Sequence, residues 1–546
     1  VHSRAKLHIQ RACVYNENSM TTAKNLAFGL LARRTLDLLP RLWLPLVALL
    51  CLASSWRPLS GGDDVWAHAA IGRWIVSHGT IPRETLFLWG APPQQWIYHS
   101  WLSQISFYTL LSGGEVRGAF LLLGLTALIV FSVFALLWRA WRARIGVFSL
   151  WMPLVFAIAV YCSSLRFRAR PELFTALFLT LLLLFLSHEK TPEKTQAPAA
   201  PGVLRRETFF VFVLFVVWTN FHGAVAIGLL MLGAMAFCEV AQARAARASW
   251  KWIWFFAVAV LAVNFNPYGF DYWQALRPVG GPMFERIDEW KPFWKTPFLD
   301  PTLLLGELAL VWLALMCWLG NPRRRWSQLA WLVLMSALFI DARRHLWLLP
   351  IVCLSVIVAN ADTLQRSEVG AESSPLVRDA TRLLVTAVLL IAVLFTATPA
   401  QFSRAQFSFG PIAPTTPRRA TAFFQTHHLN TRGHVFNDYE NSSFLQWRFG
   451  GKPPLYIDLL NAYPDSLLFD YFDVVNATPR GRKMLDAKKV QVVILRTYTS
   501  KSALAKLAGY LDKNKRQWRR VYRSEDGTIW LRRAGQNVGS GKSEVE

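Results

Sequence analysis

Cysteine is scarce in this 546-residue chain, and the segment from residue 400 onward has none. Five of the six, Cys51, Cys162, Cys238, Cys317 and Cys353, lie in apolar runs, and Cys13 lies in the N-terminal tail. A disulfide framework or a Cys-based zinc site in the C-terminal region is therefore excluded. Charge is thin as well, at 17% of residues against 53% hydrophobic, a balance that speaks against an ordinary soluble chain. Acidic side chains are the scarcer sign, 34 against 59 Lys and Arg. The C-terminal segment also lacks a nucleophile elbow, a P-loop, a dinucleotide fingerprint and a zinc-protease signature, so none of the chemistries tied to those motifs is indicated there.

What is present instead is apolar sequence in blocks near membrane-crossing length, with 25 Trp and 37 Phe. At about 20 apolar residues per crossing, the blocks predict about eleven spans. They fall near 42–59, 115–138, 147–163, 172–188, 205–219, 223–240, 252–265, 302–319, 327–341, 345–361 and 383–398. The long run from Thr208 to Val240 would reach roughly 50 Å as one helix, so it is divided at Asn220-Phe221-His222-Gly223. Residues 1–41 read as a cytoplasmic tail, in which 1–19, upstream of Met20, are given no structural role. Residues 42–399 read as a membrane domain whose first loop is 60–114, and 400–546 as a separate globular domain. The predicted fold class is mostly α, polytopic and transmembrane, followed by a smaller α/β or α+β domain.

The net charge of +25 is accounted for by topology rather than nucleic acid, because cations gather in alternate short loops. Arg33, Arg34 and Arg41 precede the first span, and Arg139, Arg142 and Arg144 follow the second. Lys190, Lys194, Arg205 and Arg206 follow the fourth, Arg244, Arg247 and Lys251 the sixth, Arg323 to Arg325 the eighth, and Arg366, Arg378 and Arg382 the tenth. The positive-inside rule makes that side cytoplasmic, which places loop 60–114, the loop 266–301 and the C-terminal domain outside.

Two short loops break the rule. Arg166, Arg168 and Arg170 follow the third span, and Arg343 and Arg344 follow the ninth. Arginine's planar fork suits phosphate, and a lipid-linked phosphate headgroup lies at this depth. The plainer alternative is pairing with ordinary lipid headgroups.

The loop after the first span is the richest in chemistry. Gly61-Gly62-Asp63-Asp64-Val65-Trp66-Ala67-His68 puts two carboxylates and an imidazole where an apolar helix meets water, and ionisable groups at such a place are usually functional. His68 follows Asp64 by four residues, one face of a helix if the segment is helical. It either orients Asp64, ligates a cation or bonds a carbonyl. Trp66, Trp74, Trp89, Trp96 and Trp101 either stack on sugar faces or anchor the loop at the interface, the second being the more ordinary use.

Several motifs line up with one family: Asp64-x-Trp66-x-His68 with Gly72-Arg73-Trp74, His78-Gly79-Thr80-Ile81-Pro82-Arg83, Arg168-x-Arg170-Pro171-Glu172, Trp218-x-Asn220-x-His222-Gly223, Asn266-Pro267-Tyr268-Gly269, Glu289-Trp290 and Arg343-Arg344. Together with Phe436-Asn437-Asp438-Tyr439 and Tyr456-Ile457-Asp458 they resemble a group of bacterial polytopic membrane proteins similar to the GT-C superfamily of polyprenyl-phosphate-sugar-dependent glycosyltransferases. That resemblance implies a catalytic carboxylate in the first extracytoplasmic loop, short interfacial helices there, and a groove for a polyprenyl-phosphate-linked sugar. Asp64 matches the motif acid, with Asp63 beside it. The pattern departs from the family in having Asp-Asp rather than Asp-x-Asp, and Thr85 where an acid often stands, with Glu84 adjacent.

The expected chemistry is inverting sugar transfer in the bacterial plasma membrane to a glycan, lipid or protein acceptor. Asp64 serves as base, and Asp63 and His68 assist or hold a divalent cation such as Mg or Mn. Arg166, Arg168, Arg170, Arg343 and Arg344 hold the phosphate, and Glu84, Glu172, His222 and Glu289 are further candidates. Two alternatives are a transporter or flippase for a lipid-linked saccharide, drawing on Glu307 in the eighth span, and a non-catalytic cell-envelope assembly subunit.

Residues 400–546 carry 23 Lys and Arg against 12 Asp and Glu, a surface that suits anionic headgroups or glycan. Strands are expected at 435–439, 455–458, 490–496, 519–523 and 528–532, and helices at 417–428, 463–475 and 502–513. Asp438 and Asp458 would end strands. The domain reads as an acceptor-binding or assembly module.

Overall fold

Each of the eleven apolar blocks coincides with a helix. The computed structural model describes residues 34–144, 150–188, 201–242, 246–276, 287–295, 300–361, 375–397, 410–500 and 502–533. The tail with Cys13, and Arg33, Lys190, Lys194, Arg244 and Arg366, lie outside the described residues. Among the described residues five helices are long and apolar enough to cross a membrane: α1 (Arg34–Ser55), α4 (Glu115–Arg144), α8 (Val225–Gln242), α10 (Pro301–Gly320) and α13 (Leu376–Thr396). The others in the membrane part are α5 (Met152–Ser163), α6 (Glu172–His188), α7 (Pro201–Phe221), α9 (Ala246–Val263), α11 (Trp326–Asp341) and α12 (Leu349–Ala359). The protein is an integral membrane protein, and its fold is mostly helical with one small sheet.

The break at Asn220 has a physical cause. Its Nδ2 donates to the carbonyls of Val216 and Phe265, both at 2.8 Å, and its Oδ1 accepts from Trp101 Nε1 at 2.7 Å. One amide thus ties the end of α7 to two loops, satisfying carbonyls that a helix end leaves open. Asn266-Pro267-Tyr268-Gly269 is turn chemistry: Asn266 Oδ1 accepts from Tyr268 N at 2.8 Å. The Tyr268 hydroxyl then donates to Pro82 O and accepts from Tyr98 N, clamping the first loop.

That loop folds into two helices, α2 (Asp64–His78) and α3 (Trp101–Ser112). They approach so closely that a Cβ on Gly72 would lie 2.0 Å from Gln104 O, so no side chain fits at that position.

The C-terminal domain is a four-stranded sheet in the order β1 (His434–Asn437), β2 (Val490–Leu495), β4 (Gly527–Arg532), β3 (Trp518–Ser524). The β1–β2 pair is parallel and the rest antiparallel. Its helices are α14 (Arg418–Thr426), α15 (Ser442–Phe449), α16 (Asp465–Val475), α17 (Pro479–Ala487) and α18 (Ala503–Lys513). The expected strand at 455–458 is not formed: Leu455 makes a single parallel bridge to Leu88 of the first loop. Asp458 therefore lies in a loop, while Asp438 directly follows β1.

This domain is built onto the first loop. Leu59 exchanges backbone hydrogen bonds with Pro411 and Ala413, and Trp89 Nε1 donates to Val435 O. Trp66, fully buried, meets Phe444 of α15 edge-on at 5.0 Å, the favoured aromatic geometry. At the N-terminus of α4, Glu115 reaches Arg418 at 3.2 Å, Arg448 at 2.9 Å and Trp447 Nε1 at 3.3 Å.

Candidate functional site

The segment around Asp63 and Asp64 is shaped by the domain above it. A Cβ on Gly61 would lie 2.4 Å from Asn441 Oδ1 and one on Gly62 2.8 Å from Glu440 O, so two glycines let loop 438–441 rest on the turn before α2. Asp63 precedes α2 and Asp64 begins it. The two carboxylates have different surroundings.

Asp63 is buried and fully engaged. Its Oδ2 accepts from the Ser60 N–H at 2.6 Å and the Ser60 hydroxyl at 2.9 Å, and its Oδ1 pairs with Arg168 at 3.1 Å. Arg57 stands behind this pair, its guanidinium brought down to about 10 by burial and the neighbouring Arg168. Asp64 lies deep in the protein yet keeps 34% of its side chain open, so it lines a cleft. Among the described residues its one ion pair is to Arg170 Nη2 at 3.2 Å. Burial raises its carboxyl above the ordinary range, Arg170 opposes that, and the like charges of Glu289, Asp63 and Glu172 add to it.

Arg170 is shared. Its Nη1 binds Glu289 Oε2 at 3.3 Å, and the same oxygen takes Arg166 Nη1 at 2.9 Å. Arg166 also pairs with buried Glu172 at 3.3 Å. The result is a chain of alternating charge, Asp64–Arg170–Glu289–Arg166–Glu172, assembled from α2, the loop before α6, the first residue of α6 and the loop before α10. Burial alone would raise the Glu289 carboxyl, but Arg166, Arg170 and Arg344 prevail and hold it at about 2. Its side chain is 35% open, so it too faces the cleft.

Arg344 differs from the other arginines. Its guanidinium lies 4.1 Å over the Trp290 ring, and among the described residues it forms no ion pair. Burial lowers its proton affinity. Arg343 is likewise without an ion pair among the described residues, its N–H donating to Lys291 O.

Three imidazoles share the cleft. Gln104 Nε2 meets His68 Nδ1 at 3.3 Å, the Gly223 N–H donates to His99 Nδ1 at 3.2 Å, and the Ala224 N–H donates to His222 Nδ1 at 3.4 Å. A backbone donor on Nδ1 places the proton of His99 and His222 on Nε2. Burial brings His68 down to about 3 and His99 to about 4, and carries His222 well below its usual value, so all three are neutral N–H donors. No protein group among the described residues takes a hydrogen bond from these Nε2 atoms.

Glu84 is not drawn into this cluster. It is exposed on a short hairpin, accepting from Gln95 Nε2 at 3.4 Å. Of the residues expected to hold a divalent cation, Asp63 has its oxygens taken by Ser60 and Arg168, and among the described residues no group of three His, Cys, Asp or Glu is placed to hold one.

The opposite wall comes from the C-terminal domain. Burial lifts the Tyr439 phenol, its donation to Asn461 Oδ1 at 2.7 Å opposes that, and the nearby charges of Asp64, Asp458 and Glu289 add to the rise. Tyr439 and Asn461 thus join the cleft, although nothing in their sequence separation from Asp64 signals it. His99 and Arg57 were also outside the sequence-based site, the one an ordinary interfacial histidine by type and the other hidden at the end of an apolar run.

No protein-family model matches the chain, and no curated protein matches it in sequence. Solved structures do match in fold. The apo oligosaccharyltransferase of Archaeoglobus fulgidus superposes with a TM-score of 0.53 at 12% identity, covering 83% of this chain and 69% of that one. The AglB oligosaccharyltransferase of Archaeoglobus fulgidus, in complex with an inhibitory peptide and a dolichol-phosphate, gives 0.52 at 12% over 83% and 69%. The arabinofuranosyltransferase AftD from Mycobacteria gives 0.54 at 13%, covering 90% of this chain and 41% of that one. All are GT-C glycosyltransferases, and the fold of this chain resembles theirs.

Proposed function

We propose that this protein is a membrane glycosyltransferase that moves a sugar from a polyprenyl-phosphate donor to a hydroxyl of a cell-envelope acceptor, with inversion at the anomeric carbon. The observation that carries this reading is the asymmetry of the cleft. One carboxylate, Asp64, is open and of raised proton affinity, and two arginines, Arg343 and Arg344, are half-buried and form no ion pair among the described residues.

In this reading Asp64 takes the proton of the acceptor hydroxyl as its oxygen bonds to the anomeric carbon. The bond from that carbon to the phosphate oxygen breaks, and its electron pair leaves with the polyprenyl phosphate. Arg344, Arg343 and the Nε2–H groups of His99 and His222 are the donors left to meet the growing negative charge, with the neutral His68 beside them. Fixed donors in a site of low dielectric are the strongest contribution of this kind. Arg166 and Arg170, engaged with Glu289 and Glu172, fix the orientation of Asp64, and Asp63 with Arg168 holds the turn. Tyr439 and Asn461 form the wall against which the acceptor lies. The side of the membrane is taken from the loop charges, with the cleft extracytoplasmic, and the likeness in fold to lipid-linked-sugar enzymes supports the donor class.

The test is transfer by purified Asp64→Asn with a polyprenyl-phosphate sugar. The expected result is a loss of at least about 100-fold in rate with membrane insertion unchanged; a rate within a few-fold of wild type removes Asp64 as base. A second reading, movement of a lipid-linked saccharide, draws on Glu307 in α10, whose two carboxyl oxygens are buried without a hydrogen-bond partner among the described residues. A flipping assay in vesicles with Glu307→Gln would support it by loss of movement.

A further inference from the structure

The C-terminal domain carries a groove of about 520 Å³ between α17 and α18 that none of the cleft residues lines. Arg482, Lys506, Gly509, Tyr510, Lys513 and Asn514 line it, so three lining residues are cations and none is acidic. The neighbouring carboxylates have other partners: Asp470 and Asp473 pair with Arg480, and Asp512 with Arg520 and Trp530 Nε1. Arg482, Lys506 and Lys513 enter no ion pair among the described residues.

The groove is built rather than incidental. Arg482 Nε donates to Ala477 O at 2.7 Å while its guanidinium lies 4.9 Å over the Tyr510 ring, which fixes the fork and leaves its terminal nitrogens without a partner among the described residues. Lys506 Nζ is steadied by Asn476 Oδ1 at 3.1 Å. The floor is open at Gly509, where an added Cβ would meet nothing within 4 Å. A second hollow of about 380 Å³ is lined by Pro479, Arg480, Lys483, Met484 and Ala487, also on α17.

We infer that this groove binds an anionic glycan, a saccharide chain bearing carboxylate or phosphate groups. Three uncompensated cations repel one another until an anion joins them, and arginine's fork matches carboxylate and phosphate alike. The three cations are exposed around one hollow between two helices, an arrangement that a saccharide chain with several anionic groups can span. The site goes beyond the transfer reaction and stands whether or not Asp64 is catalytic.

The experiment uses the full chain in phosphatidylcholine nanodiscs, with fluorescent oligogalacturonate and poly(glycerol phosphate) as probes and a neutral maltooligosaccharide as control, read by anisotropy. The expected result is saturable, salt-weakened binding of at least one anionic probe. Binding falls about tenfold or more in Lys506→Gln/Lys513→Gln and in Gly509→Glu, which places a carboxylate on the open floor without displacing a neighbour. Unchanged thermal unfolding shows that both variants are folded. No saturable binding of either anionic probe, equal binding of the neutral chain, or equal binding by the folded variants overturns the inference. Loss of wild-type binding when phosphatidylglycerol is added to the disc assigns the cations to the bilayer and overturns it too.

Discussion

Glu115 fastens the C-terminal domain to the membrane part, and replacing it with Ala tests whether that fastening shapes the cleft. The side chain is 11% exposed and meets Arg448 at 2.9 Å, Arg418 at 3.2 Å and Trp447 Nε1 at 3.3 Å. Arg418 is 44% open, so its loss costs about 0.5 kcal/mol. The stranded Trp447 N–H costs about 1 kcal/mol, and the partly buried Arg448, left without its charge partner, about 1–2 kcal/mol more. Together this is about 3 kcal/mol, a factor near 100 in the docking equilibrium. Hydrogen exchange in Glu115→Ala should accelerate by about that factor in α15 and in the 410–417 segment that pairs with Leu59, while the centre of β2 keeps its protection. Transfer should fall with docking, since Tyr439 and Asn461 leave the cleft. Exchange in α15 unchanged within threefold would refute the reasoning.

Arg344→Gln should lower kcat/KM for the lipid-linked donor by about 10- to 100-fold, the effect of losing one charge-assisted contact. Arg344→Lys should not restore it, because a point charge cannot stack on Trp290 as a planar fork does; full rescue by Lys would place the phosphate elsewhere. Burial pushes the Asp458 carboxyl up to about 6, so the folded state binds the proton more tightly than the unfolded one, whose ordinary value is 3.8. The resulting stabilisation, up to about 3 kcal/mol, is complete below the ordinary value and lost as pH rises to about 6. Asp458→Asn should flatten the fall of Tm between pH 4 and 6, within what Asp438, raised to the same region, leaves; an unchanged slope contradicts this. Gly72→Val forces a side chain against Gln104 O and should destabilise the α2–α3 pair by about 1–3 kcal/mol or more, read as a lowered Tm that an unaffected variant would refute.

The eleven apolar blocks were legible as helices because their composition suits hydrocarbon, whereas the crossing length of about 20 residues is met, among the described residues, by five of them. The break between α7 and α8 was legible at Asn220 for a related reason: an amide and an imidazole inside an apolar run mark where helix ends need partners. The carboxylate turn stood out because Asp63 and Asp64 are rare charges beside hydrocarbon. Their division of labour was not legible, since it depends on Arg168 and Arg170 arriving from far along the chain. In the C-terminal domain, α15 escaped because seven of its eight residues are buried, Ser442, Ser443 and Gln446 among them, so it has no polar face to give a helical period. Helix α17 escaped for the opposite reason, having only Gly481 and Leu485 buried. The stretch 455–458 reads as a strand by composition, yet Leu455 pairs with Leu88 and the chain then turns. The Tyr439 wall of the cleft arises from docking between two parts of the chain, which local pattern does not encode.

The most direct test of the central claim is a profile of cell-envelope glycans and lipid-linked sugars in cells carrying wild type, a deletion, or Asp64→Asn at equal expression. The account predicts that deletion and Asp64→Asn both remove one glycan modification and accumulate its polyprenyl-linked precursor. A profile in which Asp64→Asn matches wild type while the deletion does not would contradict catalysis at this carboxylate.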